Sequence, residues 1–597
     1  MALKQQEYSD PTLQLAQQEL HSLWTRRCPE GDPAFNVSFR LVPELPSFSV
    51  TRQGPELLFC APTAVEILYA VYDFAEKYLG YCFFAPGQDI LHTSGASLSL
   101  PAGVLIAARK PLLSIRGLVQ EFAFNDDTPL LADWMAKNKL NYLNTWMKYY
   151  DHLSPEGKTM FQVRGIEVQS GHHNFNYWIP GEKYQSEHPD FFAEINGRRI
   201  KPVPDKNGLL LSEQLCTTNP ELRREIVKNM LDYARQHPEV QTLALIPNDG
   251  FGWCECPECS RFYDPNQKGD LYSLSTHVYL AERIYLDLLQ DVAGQLEKER
   301  PDLRLNFCAY INYCRPTPDF RLRDNLSVSF APYWRCIRHR LDDPSCPINR
   351  CYASDIQSWV RAKDGGKVII YEYYMGVNLY LSLPMIHHHD VFKEVQWYHR
   401  HGVDGLMTQF HIPHWSVYGL NYYFMAKAAW DEPEEACIER TLQKLYGAAA
   451  PQAQALYDAM TALIDAVGHC HIPYPYSLLK RTTLPQYQHL LQLAWELSAA
   501  AGSGNVLAFE QVLWCEYLLR FKQLFDAYHG GELTVAGVQE FLAWIHRYRD
   551  SRVFVHSKFD MYFQALIDCL QSGRPWLHFN IDWEDDYIRQ HERLWQG

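Results

Sequence analysis

The sequence predicts an α/β protein: a (β/α)8 barrel of the TIM type, preceded by a small N-terminal α/β domain and followed by a helical domain. Three observations predict it. Between residues 111 and 430, short apolar runs alternate with amphipathic stretches at helical spacing. Residues 1–110 mix one long helical pattern with short alternating segments, and residues 431–597 keep helical periodicity nearly throughout. A chain of 597 residues has room for these three domains, since domains run to roughly 100–200 residues each.

In the first domain, a helix is predicted over 13–26 and extended segments over 35–41 and 47–50. From 62 to 79, apolar residues recur at steps of three and four, which predicts an amphipathic helix that Gly80 ends. Residues 82–87 then read as a strand entering a turn. Eight barrel strands are predicted over 115–122, 141–146, 165–169, 241–246, 304–311, 326–330, 367–371 and 405–409. Helices are expected between most of them, as over 220–236 and 276–298. Further helices are predicted over 422–430, 434–445, 450–467, 484–501, 506–530 and 534–548.

Composition narrows the function. A net charge of −15 without a basic block argues against a nucleic-acid partner, because phosphate binding needs a basic surface. No apolar run is long enough to span a membrane, and the opening residues lack the apolar segment and cleavage pattern of a secretory signal, so a cytoplasmic protein is expected. In that setting the 16 cysteines are expected to be reduced. Aromatics make up 14% of the chain, which suits either stacking on the apolar faces of sugars or packing in a large core.

Barrel enzymes carry their chemistry just beyond the C-terminal ends of the strands. The fourth strand ends in Pro247-Asn248-Asp249-Gly250, which would set Asp249 at the mouth, where a carboxyl can protonate a glycosidic oxygen. The same residues also favour a plain turn. The seventh strand ends in Tyr371-Glu372-Tyr373-Tyr374, and Glu372 there suits a nucleophile, a base or a sugar ligand; a glutamate satisfied by a tyrosine hydroxyl is the alternative. His172 and His173 follow the third strand. Tyr333, Trp334 and Arg335, with Arg338 and His339, follow the sixth, and Gln409, His411 and Trp415 follow the eighth. The first strand ends near Gln120 and Glu121, with Asp126 and Asp127 equally suited to capping the next helix. Cys254-Glu255-Cys256-Pro257-Glu258-Cys259 has the spacing of a zinc knuckle, for which Cys216 or a nearby histidine would complete a tetrahedron; a metal-free thiol loop is the alternative. Catalysis itself calls for no cofactor. His387, His388 and His389 read as a polar loop. Dinucleotide, P-loop and nucleophile-elbow motifs are absent.

Three segments carry a resemblance. Glu66 to Gly80 followed by Phe83-Phe84-Ala85-Pro86, then Cys216-Thr217-Thr218-Asn219-Pro220, then Asn248-Asp249-Gly250 with Trp253 and the cysteine cluster resemble the proteins that carry domain of unknown function 4838. That group includes glycoside hydrolase family 163, whose characterised activity is endo-β-N-acetylglucosaminidase. The wider architecture is similar to family 20 hexosaminidases, family 84 enzymes and family 67 α-glucuronidases. The resemblance implies a retaining reaction in which the substrate's 2-acetamido oxygen attacks the anomeric carbon, one carboxyl acts as acid/base and a polar group orients the acetamide. Families 20 and 84 place two adjacent acids after the fourth strand; here Asn248 stands beside Asp249. Asp249 is therefore expected near the acetamide or the leaving oxygen, with Glu372 as the second carboxyl and Tyr373 and Tyr374 beside the sugar. Two other readings stay open. One is a glycosidase for another sugar, such as a uronic acid held by Arg335 or Arg338. The other is a carbohydrate-binding barrel without catalysis. Either way the partner is an oligosaccharide or glycan.

Overall fold

The computed structural model describes residues 8–28, 35–92, 98–201, 214–264, 280–375, 381–385, 388–468 and 476–580. Eight parallel strands close into a barrel: Ile115–Gln120, Tyr142–Thr145, Glu167–Ser170, Thr242–Ala244, Arg304–Ala309, Leu326–Phe330, Lys367–Glu372 and Gly405–Gln409. Each pairs with its sequence neighbour, and the eighth pairs with the first through registers such as Met407 with Gly117. All eight fall on the runs predicted from the sequence. Gly117 sits where a Cβ would come within 2.2 Å of the Tyr142 carbonyl oxygen, so the first two strands approach too closely there for any side chain.

Ahead of the barrel, Asn36–Leu41, Glu56–Ala61, Ser49–Gln53 and Gly103–Ile106 form a four-stranded sheet in that spatial order. The helices Pro11–Arg27 and Ala64–Phe74 accompany this sheet. The second helix widens into a π-turn, Ala75–Leu79, and stops at Gly80, whose φ of +86° is open to glycine at little cost. The strand Glu56–Ala61 was not anticipated, although its burial alternates along its length as a half-covered strand should. The front unit is tied to the barrel by buried charge. Asp73 pairs with Lys139 at 2.9 Å, and Glu76 pairs with Lys427 at 2.5 Å.

Two predicted helices shift. The one expected over 276–298 runs Glu282–Glu299, and residues 276–279 lie outside the described residues. The one expected from 422 begins earlier, at Trp415–Ala428. All its residues are buried, so it has no polar face and hence no period to read. His388–Arg400 is a helix rather than a loop; His387 lies outside the described residues. The C-terminal helices pack back on the barrel. Trp514 donates to the Ser382 carbonyl at 2.7 Å, and Gln511 donates to the Ser416 carbonyl at 2.9 Å. Among the described residues no helix is long and apolar enough to cross a membrane, and none of the described cysteines is in a disulfide.

Candidate active site at the barrel mouth

A cleft of about 810 Å³ opens at the C-terminal ends of the strands. That size suits a small ligand or one to a few sugar rings. A second pocket of about 410 Å³ adjoins it, and Asp249 and Tyr310 line both. Asp249 therefore stands where the two spaces meet.

The local sequence explains how Asp249 is presented. The fourth strand is short, and side-chain amides take over from the β-ladder beyond it. Asn174 donates to the Ala244 carbonyl at 2.7 Å and accepts from the Ile246 amide at 2.8 Å. Gln214 accepts from the Asn248 amide at 2.9 Å and donates to the carbonyls of Asn248 and Gly250 at 2.7 and 3.0 Å. The residues on each side of Asp249, Asn248 and Gly250, are thus clamped, while the Asp249 side chain stays 39% exposed.

Next to it, the Nδ1–H of His173 donates to the Pro247 carbonyl at 2.6 Å, which turns Nε2 toward Asp249 Oδ1 at 3.9 Å. His172 lies against His173, ring to ring at 4.7 Å, and is stacked on Trp146 at 4.7 Å. Its Nε2 lies 3.4 Å from Oε1 of Glu121 and 3.2 Å from the Tyr371 hydroxyl. Burial holds the His172 imidazole well below its ordinary range, and neighbouring His173 adds to this, so the ring is neutral at pH 7.

Glu121 follows the first strand and lines the cleft together with Asp249 and Asp127. Tyr371 donates to it at 2.9 Å, while Gln409 donates to the Tyr371 hydroxyl at 2.9 Å. Burial pushes the Glu121 carboxyl above the usual carboxylate range. Hydrogen bonds from Tyr371 and Gln409 and the field of His173 oppose the rise, and Asp249 adds to it. Tyr310, Tyr333, Tyr371 and Tyr373 supply aromatic walls. The C-terminal helices complete the rim with Lys558 and Tyr562.

The structure brings Asp249, His172, His173, Tyr333, Tyr373 and Gln409 together in the cleft. Other expected site residues lie elsewhere. Glu372 is wholly buried outside the barrel: Arg335 Nη1 lies 2.5 Å from it and Tyr398 donates to it at 3.0 Å. Arg335 also pairs with Glu394, to which Tyr374 donates at 3.1 Å. The reason is parity. Side chains alternate across a strand, so Tyr371 and Tyr373 face the cleft while Glu372 and Tyr374 face the helix His388–Arg400. Trp334 packs edge-on behind Tyr333 at 5.0 Å. Trp415 donates to the Phe84 carbonyl at 2.9 Å and so fastens the front unit. Asn248 is held in the loop by Gln214 and accepts from the Asn176 amide at 3.2 Å, away from the cleft. Neither Arg335 nor Arg338 lines the cleft. Glu121 is the residue whose weight the sequence understated; it sits just past an apolar strand, the same signal that marked Asp249.

Behind the Asp249 loop, Cys216, Cys254, Cys256 and Cys259 bring four sulfurs within 4.8 Å of one another, all buried. The three cysteines expected as ligands are joined there by Cys216.

The family model described as domain of unknown function (DUF4838) matches residues 97–458. The chain belongs to this family. No curated protein sequence matches it. A solved family 138 glycoside hydrolase, described as targeting pectin rhamnogalacturonan II, shares 11% identity over 95% of this chain and 80% of its own, with a TM-score of 0.53. Flavobacterium johnsoniae chitobiase shares 11% identity over 94% of each chain, with a TM-score of 0.47. A β-N-acetylhexosaminidase from Bacteroides fragilis NCTC 9343 shares 13% over 68% of this chain and 83% of its own, with a TM-score of 0.44. The first shows a shared fold; the other two are looser likenesses.

Proposed function

We propose that this DUF4838 protein is a glycoside hydrolase acting on N-acetylglucosamine-containing glycans, retaining configuration with help from the substrate's own acetamide. One observation carries the reading: two carboxyls in unlike surroundings, Glu121 and Asp249, each face one member of a histidine pair in a tyrosine-lined cleft at the barrel mouth. Glycosidases work with such carboxyl pairs. The fold shared with a family 138 glycoside hydrolase agrees with it.

Asp249, at the junction of the two pockets, donates a proton to the glycosidic oxygen between a sugar in one and its leaving group in the other. Glu121, as a carboxylate, accepts the acetamide N–H and turns the acetamide oxygen toward the anomeric carbon. Glu121 thereby takes the place expected for Glu372. The N-acetyl specificity rests on the motif around Asp249 that resembles family 163. Lys558 on the rim favours a second reading, an acidic sugar whose carboxylate it would pair.

The test is hydrolysis of a panel of aryl glycosides and a labelled N-glycan by wild type, Asp249→Asn and Glu121→Gln. Release from N-acetylglucosaminyl substrates, reduced about 100-fold or more in each variant, supports the proposal. Cleavage of a uronide alone moves the assignment to the acidic sugar. Binding without turnover by folded wild type leaves a carbohydrate-binding barrel.

A further inference from the structure

We infer that Cys216, Cys254, Cys256 and Cys259 hold one structural zinc ion that fixes the loop carrying Asp249. The four thiols come from two segments 38 residues apart in sequence at their nearest, Cys216 and Cys254, and they converge in a buried cluster. Cys216 Sγ lies 3.7 Å from Cys256 Sγ and 3.9 Å from Cys259 Sγ. Four sulfurs placed tetrahedrally at the zinc–thiolate distance of about 2.3 Å would lie about 3.8 Å apart. A disulfide needs about 2.05 Å, so these contacts are not bonds between the sulfurs.

The surroundings are those of thiolates rather than thiols. The Glu194 amide donates to Cys254 Sγ at 3.3 Å, Arg199 donates to the same sulfur at 3.7 Å, and the Thr218 hydroxyl lies 3.1 Å from Cys259 Sγ. Donors of this kind offset the charge that four thiolates leave on a divalent ion and orient the ligands. Soft sulfur ligands in a tetrahedron suit zinc or iron, and zinc, which needs no redox partner, is the ion that a purely structural role calls for.

The position gives the ion its task. Residues 249–256 contain no helix, and the one element among the ligands is the single turn Pro257–Ser260. Gln214, two residues before Cys216, clamps the peptides around Asp249. A zinc ion would join the segment bearing Gln214 to the segment bearing Asp249 and add a rigid link to the hydrogen bonds that already hold this loop. A second group, Cys336, His339 and Cys346, also brings three ligand atoms within 4.8 Å. There Arg338 donates to Nε2 of His339, which leaves the proton on Nδ1, 3.3 Å from Cys336 Sγ. That arrangement is a hydrogen bond and serves as the control.

The experiment is elemental analysis of the full-length protein, purified without added metal or chelator, followed by titration with an organomercurial while a chromophoric chelator reports released ion. About one zinc per chain, released as four thiols react, is expected for a four-cysteine site. Cys216→Ser and Cys256→Ser should lower the content at least fivefold, and Cys346→Ser should keep it. Wild-type content and release are read on unaltered protein, so they stand even if a variant does not fold. Metal-free wild type with four reactive thiols, iron in place of zinc, a disulfide within the cluster, or zinc lost only in Cys346→Ser would each overturn the inference.

Discussion

Tyr371 donates a 2.9 Å hydrogen bond to Oε1 of Glu121 while accepting one from Gln409, so the hydroxyl passes its proton side to the carboxylate. That bond opposes the upward push of burial on Glu121. If Glu121 works as a carboxylate, kcat/KM rises as pH climbs through its raised pKa. Tyr371→Phe removes a bond to the charged form, so the rising limb should move to higher pH, with activity at its plateau lowered by about tenfold or less. A pH–rate profile of the variant checks this. A limb moving to lower pH would mean that the Tyr371 bond favours the neutral carboxyl, and activity falling through this pKa would mean that Glu121 acts in its protonated form.

The two carboxyls should separate by leaving group. A general acid matters most when the departing oxygen is basic. Asp249→Asn should lose about 100-fold or more on a poor leaving group and roughly tenfold or less on a dinitrophenyl glycoside. Glu121→Gln should lose activity on both alike, because the acetamide attack that it assists accompanies the departure of either leaving group. The reverse pattern would exchange the two roles.

The charge cluster behind the seventh strand should matter for stability and not for chemistry directly. Arg335, Glu372 and Glu394 are each about 1% exposed or less. Removing one partner of a buried ion pair strands the other, typically at about 3–5 kcal/mol. Arg335→Ala should therefore lower the unfolding free energy by that order, well beyond the effect of an exposed substitution. Urea unfolding measures it.

Asp73 predicts an acid limit to stability. Burial raises its carboxyl, yet Lys139 and Lys77 hold it well below the usual range. A depressed carboxyl stabilises the fold above its ordinary pKa of about 3.8 and loses that contribution as pH falls toward the folded value. The melting temperature should thus fall steeply below about pH 4. In Lys139→Met the folded and unfolded carboxyls lie closer together, so the acid-dependent fall should be shallower and the protein less stable at neutrality. Calorimetry across pH decides; an unchanged curve would dissociate Asp73 from acid unfolding.

How much of this was legible in the chain follows from what a linear pattern encodes. Apolar runs of strand length, helical periodicity and Gly80 are local, and they sufficed for the eight barrel strands and most helices. Asp249 was legible too, because strand end, proline and turn residues are contiguous. The first two turns of the helix Trp415–Ala428 are not legible, because a segment buried on every side carries no period.

What the sequence determined by itself was the barrel, its strand ends, Asp249, the histidine pair and three of the four clustered cysteines. What only the tertiary structure decided was facing and partnership. Glu372 and Tyr371 are neighbours on one strand, and a step of one residue sends the first into a buried pair with Arg335 and the second to the cleft beside Glu121. Cys216 joins Cys254, and Glu121 meets Tyr371, only after the chain has closed, since those distances are set by packing between segments far apart in sequence.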